Sequence, residues 1–163
     1  MNTSLRVAML SLALLLAAAD SRADGFELIT AAEALQAAKA EAAAPPEEMR
    51  TRSLPIPKPG QPAIRVVTPN LPGSSVNAPL RIEVAFKPAP GTRIVPSTFR
   101  VLYGLMKIDL TDRLKKHATV TESGVVVDQA QVPVGQHRLI LQVADDQGNT
   151  AEQELRIRVG AAS

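Results

Sequence analysis

The chain has 163 residues, 18 Lys+Arg against 16 Asp+Glu, and a formal net charge of +2. It contains 13 Pro and 9 Gly but neither Cys nor Trp, which excludes disulfide frameworks, thiolate metal sites, cysteine nucleophiles and lipid attachment through an N-terminal cysteine. With 45% hydrophobic and 21% charged residues it is too apolar to be disordered throughout, and its length admits one ordinary domain with appendages.

Residues 1–23 read as an export signal. Arg6 precedes an uncharged run from Val7 to Ala19, which fits a signal-peptide core and falls short of the roughly 20 residues that span a bilayer. Of two small-residue cleavage patterns, Ala17-Ala18-Ala19 and Ser21-Arg22-Ala23, the second follows a polar break and is preferred. The expected location is therefore periplasmic or secreted, with no transmembrane segment left after cleavage.

Residues 24–44 are Ala-rich and predict a short helix. Thr30-Ala31-Ala32-Glu33 fits a capping box, in which the hydroxyl serves the N3 amide and the glutamate serves the N-cap amide. Pro45-Pro46 end the helix, because they lack amide hydrogens and push the preceding residue out of the α region. Leu35 is its only large apolar side chain, so weak docking is expected. Residues 45–62, PPEEMRTRSLPIPKPGQP, read as a Pro-rich linker of extended polyproline II that isolates the helix from the rest of the chain.

Residues 63–160 predict an all-β domain. Leu80, Ile82, Val84 and Phe86 alternate with Arg81, Glu83, Ala85 and Lys87, a period of two that puts four large apolar side chains on one face. The pattern returns at Leu139, Leu141 and Val143, with Ile140 the one apolar residue pointing the other way, and again at Leu155, Ile157 and Val159. These ten apolar residues predict one core. Asp145-Asp146-Gln147-Gly148-Asn149 between the last two runs predicts an antiparallel hairpin. Shorter strands are expected at Ala63–Thr68, Ser97–Tyr103, Ala118–Glu122 and Val125–Ala130, with a helical turn at Asp109–Lys116 capped by Asp109 or Thr111. About seven short strands without long helices favour an antiparallel β-sandwich.

The stretch Pro133-Val134-Gly135-Gln136-His137-Arg138-Leu139-Ile140-Leu141-Gln142-Val143-Ala144-Asp145-Asp146-Gln147-Gly148-Asn149 resembles the last hairpin of bacterial immunoglobulin-like (fibronectin III-like) domains. There a Pro/Gly turn leads into an alternating strand and an Asp-x-x-Gly-Asn turn. The Pro79–Lys87 strand is similar in placement to the second strand of such domains. The resemblance implies an immunoglobulin-like sandwich of the kind that serves as adhesin, spacer, enzyme appendage or binding module. Both cysteines and the core tryptophan of antibody domains are missing, so nothing specific to those carries over.

Chemistry-bearing residues are sparse. His117 and His137 are expected as exposed polar positions in or beside strands, and no catalytic, cofactor-binding or metal-binding set is expected. Asp145, Asp146 and Asn149 gather oxygens in one turn, yet three are too few for calcium without help from another loop. Charge is uneven: residues 24–48 hold six acids and one base, whereas residues 49–100 hold eight bases and one acid. Arg50, Arg52, Lys58 and Arg65 are thus candidates for an anion-attracting surface, and Tyr103 is the one candidate aromatic platform for a sugar. Export and scarce aromatics argue against nucleic acid. The expected function is a non-catalytic interaction or spacer module of the cell envelope, its partner a protein or an anionic envelope polymer. The alternatives are a glycan- or cell-wall-binding module and an accessory subunit of an envelope enzyme.

Overall fold

Alternation along the strands sets the architecture. The computed structural model describes residues 25–44, 59–69 and 75–161; the expected signal peptide, residues 45–58 of the linker, and with them Arg50, Arg52 and Lys58 lie outside these. The described chain is mostly β, in two mixed sheets with two short helices. In chain order the elements are β1 (Phe26–Glu27), α1 (Ala31–Ala43), β2 (Ala63–Thr68), β3 (Ser75–Val76), β4 (Leu80–Lys87) and β5 (Ile94–Tyr103). Next come β6 (Ile108–Asp109), α2 (Thr111–Lys115), β7 (Ala118–Thr121), β8 (Gly124–Gln131), β9 (Gly135–Asp145) and β10 (Thr150–Val159).

The first sheet runs β1-β8-β4-β2, with β7 also on β8. Since β4 holds one edge of β8, β1 and β7 share the other, β7 along Gly124–Val127 and β1 along Ala130–Gln131. The second sheet runs β3-β10-β9-β5-β6. Two short strands, β1 on β8 and β3 on β10, pair in parallel; the longer pairings are antiparallel. The inner faces of both sheets meet in one core that contains all ten residues predicted from alternation. Ile140 faces outward as expected, yet it too is buried. At Gly124 an ideal Cβ would stand 2.1 Å from the carbonyl oxygen of Val84, so β4 and β8 approach there to a distance only glycine permits.

The registers define two poles. Gly135 faces Val159 and Tyr103 faces Leu139, so the β8–β9 connection, the β5–β6 turn and the end of β10 share one pole. Ala144 faces Thr150, Ile94 faces Asp145 and Ala63 faces Lys87, so the β9–β10 hairpin, the β4–β5 connection and the start of β2 share the opposite one. We call these the strap pole and the hairpin pole.

Candidate functional site

The β9–β10 turn at the hairpin pole is shaped by local chemistry. Asp145 Oδ1 accepts from the backbone amides of Gln147 and Asn149 at 3.0 and 2.8 Å, and the Asn149 side-chain amide donates to Oδ2 at 2.9 Å. The Asn149 side chain, followed by these amides, holds the Asp145 carboxyl below its usual range. Asp146 accepts from the amide of Arg93. Asp145 thus serves the turn and Asp146 ties it to the β4–β5 connection, and no group of three or more His, Cys, Asp or Glu residues suited to a metal occurs among the described residues.

The strap pole is closed by distant parts of the chain. Thr30 caps α1 with the predicted reciprocal box: its hydroxyl accepts from the Glu33 amide at 3.2 Å and its amide donates to Glu33 Oε2 at 2.9 Å. The same carboxylate accepts two bonds from Arg113 of α2, at 2.8 and 3.0 Å, and Arg113 also donates to the Leu28 carbonyl at 2.8 Å. This fork, more than the cap, lowers the Glu33 pKa to about 2, against the desolvation that would raise it.

Ahead of the cap, β1 adds to the edge of β8, the Leu28 amide donates to Gln131, and Leu28 and Ile29 are fully buried. Phe26 stacks on His117 with ring centroids 4.1 Å apart and planes 6° from parallel. Ala37 rests on Gly104, whose φ of +65° and missing Cβ admit the helix backbone. Within α1 the apolar docking is slight, as expected, with Leu35 57% exposed and Ala37 its buried residue; the segment is held by Glu33 and, ahead of the helix, by Leu28 and Ile29. We refer to Phe26–Ala43 as the strap.

Beneath it lies a buried polar chain. His137, expected on the surface, is only 5% exposed, because it occupies an inward position of β9 in phase with Leu139 and Leu141. Its Nε2 lies 2.8 Å from the Pro133 carbonyl and its Nδ1 2.9 Å from the Tyr103 hydroxyl. A carbonyl only accepts, so Nε2 carries the proton and Nδ1 of the neutral ring accepts from the tyrosine. Burial holds the His137 pKa below the usual value, and burial together with the charges of Glu41 and Glu33 pushes that of Tyr103 up to about 12. Neutral partners are what this chain requires.

The predicted site residues do not converge. Tyr103 is 1% exposed and therefore a core residue, which corrects its reading as a surface platform: its position in β5 points inward against Leu139 of β9. Arg65 is exposed on β2 opposite Ala85, one step along the same face from Lys87. His117 is exposed at the turn before β7. Asp109 accepts from the Thr111 amide at 2.8 Å, although Leu110 occupies the N-cap position of α2. Sequence reasoning missed the Glu33–Arg113 pair. It also missed Leu28-Ile29, whose place directly before an N-cap is the signature of a hydrophobic staple; Ala34 packs against the same core. No helix among the described residues is long and apolar enough to cross a membrane. Comparison with family models, curated proteins and solved structures finds no match to this chain.

Proposed function

We propose that this chain is an exported, non-catalytic interaction or spacer module built on an immunoglobulin-like sandwich. The strand order carries the reading. Taken in chain order, the strands of four residues or more are β2, β4, β5, β7, β8, β9 and β10; naming them A to G gives A-B-E-D in one sheet and C-F-G in the other. This order supports the reading, because immunoglobulin constant-type domains are arranged A-B-E-D and C-F-G. Sandwiches of this kind serve mostly through their surfaces, and the interior groups with chemical potential are here committed to the fold: His137 and Tyr103 to each other, Asp145 to its turn.

The partner class is an anionic envelope polymer or an acidic protein face. The excess of bases over residues 49–100 supports it, as does the exposure of Arg65, Lys87, Arg93 and Arg100. The mature chain should bind isolated envelope, and binding should weaken as salt shortens the Debye length from about 10 Å at 0.1 M to about 3 Å at 1 M. Replacing Arg50, Arg52, Lys58 and Arg65 together by Gln should reproduce the high-salt result with an unchanged denaturation midpoint. Binding indifferent to both salt and these substitutions would reject the basic surface.

A further inference from the structure

The chain has two histidines, and both lie at the strap. His117 stacks on Phe26 of β1, and His137 lies with Tyr103 under α1, where Ala37 rests on Gly104 and the charge of Glu41 reaches both rings. With no cysteine in the chain, these two are the only side chains whose ordinary pKa falls between about pH 5 and 8. The carboxyls displaced from their ordinary range among the described residues all move down, away from that window: Glu33 through Arg113, Asp109 through Thr111, Asp145 through the Asn149 side chain. Mild acid therefore acts on the strap pole and leaves the hairpin pole as it is.

We propose that the strap is a hinged, acid-sensitive lid: mild acid frees the half of α1 that lies over His137, residues Ala37–Ala43, while the first half of the strap stays clasped. The clasp is indifferent to mild acid. The Glu33–Arg113 fork keeps both charges down to the ordinary 4.5 and below, and a cationic imidazole at His117 still attracts the face of Phe26. The far half of α1 lies over a ring that cannot be charged where it stands. Around His137 are the Tyr103 hydroxyl from β5, the Pro133 carbonyl from the β8–β9 connection and the charge of Glu41 from α1, whereas Arg138, next in β9, is paired with Glu154. An imidazolium would donate from both nitrogens, and Tyr103 would have to turn its own proton toward a second acceptor, of which there is none among the described residues. Burial holds the ring neutral, outweighing the Pro133 bond and the Glu41 charge that favour the cation. Once Ala37–Ala43 lifts, water reaches the ring and it takes a proton at the ordinary 6.5, so closure is complete above about pH 7 and is lost as pH falls through 6.5. This half is also where α1 holds itself least well, since Glu41 stands in a last turn without a basic residue, against the helix dipole. Envelope capture uses other residues and stands or falls separately.

Amide exchange on the mature chain at about pH 8 and pH 5, expressed as protection factors corrected for intrinsic rates, tests the hinge. Protection of Ala37–Ala43 should fall by up to about 30-fold at the lower pH, the limit set by an open state that titrates normally and a closed state that excludes the proton. Leu28 at the clasp and Gln147 at the hairpin pole should keep theirs. In an NMR titration of the same chain, the His137 ring and the amides of Ala37–Ala43 should shift with one common midpoint. His137→Gln keeps a donor and an acceptor at this position but does not titrate, so it should abolish the pH dependence, whereas His117→Gln should leave it. The hinge is overturned if Ala37–Ala43 keep their protection at pH 5, if Leu28 or Gln147 loses it alike, if the ring and the helix titrate with different midpoints, or if the pH dependence survives His137→Gln.

Discussion

At the hairpin pole Asp145 accepts from Gln147 and Asn149, within four residues of itself, whereas at the strap pole Glu33 and Arg113 meet across 80 residues of chain. Short loops cost little entropy to close and need no tertiary partner, so the β9–β10 hairpin is specified where it stands. The strap must be brought back to the domain, and burial of Leu28 and Ile29 offsets that cost. Two ends of one sandwich thus differ in what their stability depends on, and the strap pole is the one expected to open first.

The strongest way to break this comparison is at the anchor. Leu28→Ala should lower stability by about 2–4 kcal/mol through lost burial and a residual cavity, read as a shift of the urea midpoint. Leu35→Ala, one turn into α1 but 57% exposed, should stay within about 0.5 kcal/mol. Equal effects from the two would mean that the strap is an appendage.

Tyr103→Phe tests the buried polar chain beneath the strap. It removes the one donor to His137 Nδ1 among the described residues without opening a cavity, and a buried acceptor left unpaired costs about 1–3 kcal/mol. Denaturation shows the loss, and the 15N shifts of the imidazole report the changed environment of Nδ1. A variant as stable as the parent would show that water or another group satisfies the nitrogen.

The smallest effect is electrostatic and separates the poles by pH. Glu33 titrates near 2 in the folded chain against an ordinary 4.5, so its contribution is complete above pH 4.5 and is lost as pH falls from there toward 2. Because Arg113 is 36% exposed, solvent screening reduces that contribution to about 1–2 kcal/mol. Arg113→Ala should flatten this part of the acid profile. Amide exchange places the loss: Leu28 and Ile29 should lose protection in the variant while Gln147 and Asn149 keep theirs.

Legibility in the sequence divides along the same line. The capping box, the strand Leu80–Lys87, the inward phase of Leu139, Leu141 and Val143, and the hairpin between β9 and β10 all rest on neighbours within a few residues, and pattern reads such neighbours directly. The burial of Tyr103 and His137 was not read, because each is an inward strand position whose polar tip is satisfied by the other, 34 residues away. Arg113 likewise looked like one of several charges on a short helix, since its partner lies on an element that composition alone assigned to an appendage. Contacts between remote segments leave no local period.

The two residues of β1 also cover something that neither their length nor their burial suggests. They lie on the edge of β8 beyond the reach of β7, where unpaired backbone groups would otherwise offer a template for another strand. A chain cut within the linker and stripped of its strap would present that template beside the apolar surface that Leu28 and Ile29 had covered, a combination that favours disordered aggregation and fibre growth over clean unfolding. Solubility, and not only stability, therefore depends on residues that stand ahead of the domain in the chain.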